Sequence, residues 1–290
     1  MPRHGDTPTL AGPTLTLLDH PIGIQELEVL RRDQLTPRMV RLVLGGDLAR
    51  WEARAPDEHV KLVFPDPETG MTRAPVADGD HLHWPKPFPP TREYTVRRFD
   101  RERGEVWMDF VVHPGGLASD WAESVQPGDR LWVAGPRAGY VAPPAFAYRV
   151  VLADHTALPA AARIVEELPH GVRARVALLV PDAAEEQDLV VREGVEVTWL
   201  HEDDPEVSDR GFEPFLAGLD LPADEPWTLW AGGEAGLLKP VRRWAKEHGL
   251  VNGSTADISG YWKRGRSNAV TPRRRLAHRV KHALRIDDDA

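Results

Sequence analysis

The hydrophobic pattern changes near Ala147, and that change constrains the fold more than any single motif. Before it, short β-prone runs at residues 27–29, 38–44, 59–64, 92–98, 105–113 and 131–134 stand between turn residues. One short helical pattern, after Gly116, interrupts them, and residues 66–90 are dense enough in Pro, Gly and Asp to read as a long surface excursion. Many short strands with one helix describe a closed antiparallel barrel. After Ala147 the runs alternate: strands at 149–154, 174–180, 195–200 and 227–231, with helices at 158–168 and 235–248. The first helix carries apolar residues at 158, 161, 164, 165 and 168 and Pro159 in its first turn; the second is closed by Gly249. Alternation of this kind gives a small parallel α/β sheet. The expected organisation is a flexible arm at 1–20, an antiparallel β-barrel domain at 21–146, an α/β domain at 147–266 and a basic tail at 267–290.

The 290 residues include no cysteine, which excludes disulfides, thiol catalysis, thiolate-bound zinc and Cys-ligated iron–sulfur clusters. No apolar run has the length of a membrane span, and residues 1–19 lack a signal-type apolar core, so a cytoplasmic protein with no membrane partner is expected. The net charge of −9 conceals an asymmetry: nine Lys and Arg face three Asp from Lys263 onward, a +6 end on a body of −15. Such an end suits an anionic ligand, or is simply a solvated tail. Nucleic acid is not expected there, because the basic run at 273–285 has no interleaved aromatics. His278 and His282 stand four apart without a third ligand, so no metal site is expected.

Four stretches carry chemistry. In Arg92-Glu93-Tyr94-Thr95-Val96-Arg97, strand alternation puts Arg92, Tyr94 and Val96 on one face and Thr95 and Arg97 on the other. A guanidinium fork at Arg92 or Arg97 suits a phosphate, and Tyr94 and Thr95 suit an aromatic cofactor; an ordinary edge strand has the same composition. His113-Pro114-Gly115-Gly116-Leu117-Ala118-Ser119 leads a strand through two glycines into a helix, whose free N–H groups suit a pyrophosphate, or is a plain turn. Asp154-His155-Thr156 and Gly232-Gly233-Glu234 fall at the C-terminal ends of parallel strands, where ligands bind such sheets. Finally, Tyr261-Trp262-Lys263-Arg264-Gly265-Arg266 sets two aromatics against three cations: a stacking and anion-attracting cluster, or a surface segment.

Arg-x-Tyr-Thr on a barrel followed by an α/β domain resembles the ferredoxin–NADP reductase superfamily. The four stretches together, with Thr156-Ala157-Leu158-Pro159-Ala160, resemble its siderophore-interacting branch, FAD-containing ferric-siderophore reductases, over roughly residues 22–266. The resemblance implies that Arg92 holds FAD phosphate, Tyr94 packs on the isoalloxazine and Thr95, followed by Val96, lies near the flavin's reactive nitrogen. It assigns the ribityl-pyrophosphate to His113 and the turn of Gly116, Leu117, Ala118 and Ser119, on a strand carrying Asp109 and Val111. Thr156 and Ala157 reach FAD from the second domain, and Tyr261 and Trp262 close the site. Lys61, Lys263 and Arg264 match the basic triad that receives the anionic ferric siderophore. Asp154, Gly232, Gly233 and Glu234 match the NAD(P)H region, although its usual glycine-rich loop and Cys-Gly pair are replaced here. The donor is therefore open among NADH, NADPH and ferredoxin. No side chain is required as a catalytic acid or base, and a monomer is expected. A general NAD(P)H:flavin or ferric reductase, and a non-redox siderophore-binding protein, are the alternatives.

Overall fold

The first half builds its sheet from short strands, the central ones, such as Met39–Gly45, almost wholly buried. In chain order these are β1 (Thr16–Asp19), β2 (Ile24–Thr36), β3 (Met39–Gly45), β4 (His59–Val63), β5 (Val76–Asp78), β6 (His81–His83), β7 (Thr91–Thr95), β8 (Arg98–Asp100), β9 (Glu105–Val111), β10 (Arg130–Ala134) and β11 (Ala138–Val141), with helix α1 (Leu117–Ser124) before β10. The computed structural model describes residues 12–19, 23–49, 51–79, 81–136 and 138–265. Most of the expected arm, Arg266, and the basic tail with His278 and His282 lie outside them.

Seven strands form one antiparallel sheet in the order β7-β4-β10-β2-β3-β9-β8. Two residues join its edges. Val96 N–H donates to Glu58 O at 3.1 Å on the β4 side, and Arg97 N–H donates to Trp107 O at 2.9 Å on the β9 side. The run expected as one strand at 92–98 is thus two, because the chain crosses there between sheet edges and closes the barrel. Alternation still holds across the crossing. Val96 lies in the barrel core with Leu62, Met108 and Phe110, and Tyr94 packs against it. Thr95 and Arg97 face the second half, where they meet Tyr261 and Glu166. Residues 16–19, expected within a flexible arm, instead form β1, whose backbone groups pair with β11 from Thr16↔Val141 to Asp19↔Ala138.

The second half runs β12 (Tyr148–Asp154), α2 (Leu158–Glu166), β13 (Arg173–Val180), β14 (Val195–His201), α3 (Pro205–Arg210), α4 (Glu213–Ala217), β15 (Trp227–Glu234), α5 (Leu238–Glu247) and β16 (Ala256–Trp262). Its five strands are parallel, in the order β14-β13-β12-β15-β16. β12 is buried from end to end, which explains its unbroken apolar run. The segment at 257–262 is the edge strand β16. Asp257, Ser259 and Gly260 obscure its strand pattern in the sequence. Gly233 pairs with Gly260 but Glu234 with Trp262, so Tyr261 is an extra residue in a β-bulge.

The halves meet along a polar and apolar seam. Arg163 of α2 donates to Glu58 Oε1 and to Val96 O, both at 3.0 Å. Arg97 grips Glu166 with two bonds of 2.8 and 2.5 Å, and Thr36 Oγ1 donates to Glu185 Oε2 at 2.5 Å. Met39 packs in the core of the second half beside Val151 and Leu178. Among the described residues no helix is long and apolar enough to cross a membrane.

Candidate cofactor and substrate site

β7 presents the first group. The Tyr94 ring centroid lies 4.1 Å from that of Phe110, the planes 32° apart. Burial pushes its hydroxyl well above the usual phenol range, so the ring is a neutral surface. Arg92 is half-buried and gives one guanidinium N–H to Thr91 O at 2.8 Å. The rest of its planar fork has the donors a phosphate takes.

The turn into α1 is tied by one hydroxyl. His113 N–H donates to Ser119 Oγ at 2.6 Å, and Ser119 Oγ donates to His113 O at 2.8 Å. Gly115 has φ +74, and a Cβ on Gly116 would lie 2.5 Å from the His113 ring, so both positions need glycine. Gly116 caps α1 without any side-chain bond. The first-turn amides of Leu117 and Ala118 have no intrahelical partner and carry positive partial charge. An uncapped helix start, a guanidinium fork and a flat ring fit a phosphate-bearing aromatic cofactor such as FAD.

Several expected contacts do other work. Val96 is fully buried, and its backbone N–H and C=O are taken by Glu58 and Arg163. Asp109 is clamped by Arg41 at 2.6 and 2.8 Å, with Arg97 Nε 3.9 Å away. Arg97, the second phosphate candidate, is spent on Glu166. Ala157 is fully buried, Ser119 is locked in its turn, and Val111 rests against the core of the second half.

The α/β sheet contributes a polar knot at its switch point. Asp154 Oδ1 accepts Thr156 N–H at 2.9 Å, Thr156 Oγ1–H at 2.6 Å and Ala157 N–H at 3.1 Å. Its Oδ2 accepts Glu234 N–H at 2.7 Å and Trp262 Nε1–H at 2.8 Å. Glu234 Oε2 accepts the N–H groups of Gly236 and Leu237, and Oε1 accepts Arg264 N–H at 3.0 Å. Burial opposes the Glu234 charge, but the amides of Arg264, Leu237 and Gly236 outweigh it and hold its pKa below the usual range. A Cβ on Gly232 would meet Ala157 Cβ and the Trp230 ring at 2.8 Å, and one on Gly233 would meet Asp154 Cγ at 2.6 Å. The four residues expected to face NAD(P)H are therefore occupied from within, because their polar atoms and glycine spaces serve the knot. Beside them His155 is buried, which lowers its pKa to about 4 and leaves it neutral.

Tyr261 stands beside Thr95 across the seam, and burial, then the nearby Asp57 and Asp257, raise its pKa. The bulge lets Tyr261 and Trp262, consecutive in sequence, both find inner partners. The three expected substrate cations differ in setting. Lys61 sits opposite Glu93 in the β4–β7 ladder and pairs with it at 2.5 Å. Lys263 and Arg264 are exposed.

Sequence reading missed a pair of acids at the seam. Asp57, just before β4, lies against Asp257 of β16 while accepting Tyr140 N–H at 3.1 Å; Ser259 donates to Asp257 at 2.9 Å. Burial, then the facing carboxyl, raise Asp57, and burial raises Asp257, so the pair holds a shared proton above the usual carboxylate range. The only signal was Asp57-Glu58 standing directly before a buried strand.

Two family models match: the siderophore-interacting FAD-binding domain over residues 28–140 and the siderophore-interacting protein over residues 146–265. A siderophore utilization protein from T. fusca has a crystal structure 45% identical in sequence; the match covers 88% of this chain and 98% of that one, with a TM-score of 0.82. The siderophore-interacting protein SipS from Aeromonas hydrophila is 31% identical over 83% of this chain and 98% of its own, at a TM-score of 0.69. An NADPH-dependent ferric-chelate reductase of Escherichia coli is 37% identical over 227 residues, 77% of this chain and 86% of that reductase.

Proposed function

The chain belongs to the siderophore-interacting protein family, and from that premise we propose that it is an FAD-dependent oxidoreductase reducing ferric siderophores with electrons from NAD(P)H. The observation that carries this reading is the closeness of Thr95 to Tyr261 across a seam that the Arg97–Glu166 and Arg163–Val96 hydrogen bonds hold together. Through it the motif strand of the barrel and the aromatic end of the last strand serve one site rather than two surfaces.

FAD, when bound, would supply the chemistry that links a two-electron donor to a one-electron acceptor such as ferric iron. The chain's own residues bind and steer. Arg92 and the first-turn amides of α1 would hold the phosphates, with His113 and Gly116 shaping that turn, and Tyr94 would offer its neutral ring. Thr156 keeps lone pairs for a cofactor although its proton goes to Asp154. Lys61, Lys263 and Arg264 would attract an anionic iron complex. Reduction to Fe²⁺ then weakens its hard-oxygen coordination and favours release. No acid–base side chain is needed for the electron step. We place this reaction in the cytoplasm, on a monomer whose barrel carries FAD and whose α/β half faces the donor.

An absorbance spectrum of the purified protein tests the cofactor, and a colourless protein would sink the reading. Anaerobic titration with NADPH and NADH in turn should bleach the flavin; if neither does, ferredoxin is the donor. Adding a ferric siderophore should restore the colour. Equal turnover on ferric citrate would favour a general ferric reductase.

A further inference from the structure

We infer that Asp154 and Glu234 form a clasp that fixes the course of residues 262–264 and so sets where the Lys263 and Arg264 cations stand. Asp154 is then a positioning residue for substrate charge, not a contact to the nicotinamide cofactor.

Asp154 accepts five hydrogen bonds, all from neutral donors, and is 5% exposed. A carboxylate has about four lone-pair sites, so a bound nucleotide would have to displace an existing donor. Three of the five bonds anchor the acid to its own loop and the start of α2. The other two reach different strands, and both lead to the C-terminal motif. One arm is direct, from Asp154 to the Trp262 indole. The second runs through Glu234, whose N–H is held by Asp154 and whose Oε1 holds Arg264 N–H. Lys263 lies between the two arms.

The sheet alone cannot do this. β16 is an edge strand and its ladder shifts register at Tyr261; Ala235 N–H to Trp262 O at 2.9 Å is the backbone tie at its end. Gly233 completes the device. Its φ of +144 and missing Cβ leave the space that the Asp154 carboxylate fills. An amide cannot replace the acid, because Asn has one acceptor oxygen and its NH₂ would face N–H donors on the other side.

The consequence for substrate rests on reading Lys263 and Arg264 as siderophore-docking cations. Two readouts separate that reading from the clasp. The first is hydrogen–deuterium exchange of the peptide covering residues 258–265 in the full chain. Asp154→Asn and Glu234→Gln should each speed its exchange while barrel peptides hold their rates; unchanged exchange in folded Asp154→Asn overturns the clasp. Should that variant not fold, Trp262→Phe removes one arm alone, and unchanged exchange there overturns it equally. The second is binding of the redox-inert gallium(III) complex of a tris-catecholate siderophore, which needs no turnover. Asp154→Asn should weaken it about tenfold, the scale of one charge-assisted bond lost, and leave the KM for NADPH unchanged. A raised NADPH KM with unchanged gallium-complex binding would assign Asp154 to the nicotinamide and overturn the positioning role. If Lys263→Ala with Arg264→Ala leaves the gallium complex bound as before, the docking reading fails, and the clasp stands or falls on exchange alone.

Discussion

Asp57 and Glu58 are consecutive, both stand at the seam ahead of β4, and they are compensated in opposite ways. Glu58 is fully buried and meets a cation: Arg163 at 3.0 Å, with Arg54 and Ala55 N–H at 3.0 and 3.4 Å on its other oxygen. Asp57 meets a second acid, Asp257. One contact between the halves is therefore an ion pair, and the adjacent one needs a proton. A seam is thus not described by its area alone; neighbouring residues can make it tight and conditional at once.

The largest break in this comparison comes from Arg163→Ala, which removes the cation facing buried Glu58 and the donor to Val96 O. Urea unfolding should register a loss of about 3–5 kcal/mol, and Glu58→Gln with Arg163→Met should recover most of it. Next comes another buried acid, Asp154, which is satisfied by neutral donors. Gly233→Ala should cost about 1–3 kcal/mol in thermal or urea unfolding, because φ +144 strains any L side chain and its Cβ would collide with Asp154.

The Asp57–Asp257 contact should reveal itself through pH. Burial, then the facing carboxyl, raise Asp57 in the folded protein, and burial raises Asp257. The folded state thus binds the proton more tightly than the unfolded chain, whose Asp titrates near about 3.9. Stabilisation from the pair is full below that value and is lost as pH rises through the folded-state value. Asp57→Asn should therefore gain on wild type between pH 4 and pH 8, by no more than about 1–2 kcal/mol, the scale of one poorly satisfied buried polar group. A constant difference in urea midpoint across that range would refute the shared proton. The smallest effect belongs to Lys61–Glu93, where Glu93 is 57% exposed and solvent screens the pair. Glu93→Gln should shift stability by less than about 0.5 kcal/mol. If Lys61 docks substrate, the same change should tighten binding of an anionic gallium complex and steepen its salt dependence.

Much of the architecture was legible because each half repeats its own period. Strands such as residues 149–154 are buried throughout, as is 174–180 apart from Arg175, and the 158–168 helix carries its apolar stripe and Pro159. β1 was hidden because Thr16, Leu17, Leu18 and Asp19 are mostly exposed and are held by backbone pairing, which leaves no hydrophobic trace. β16 was hidden because its polar residues serve the seam and the knot. At the site, Arg92, Tyr94 and the glycine turn stand in the settings their residue types suggested. The internal partners of Asp109, Val96, Asp154 and Glu234 had no trace in the sequence, since a carboxylate looks the same whether it faces a ligand or an internal donor. Asp57 and Asp257 stand 200 positions apart, so nothing local links them.

The bulge at Tyr261 also makes the end of the chain intolerant of a deletion. Removing Tyr261, the residue between Gly260 and Trp262, would give β15 and β16 a more regular ladder with Trp262 still opposite Glu234. It would also take away the ring that stands beside Thr95 of the barrel. The irregular pairing is thus what lets one strand end serve both halves, and an edit that improves the sheet would cost the link between them.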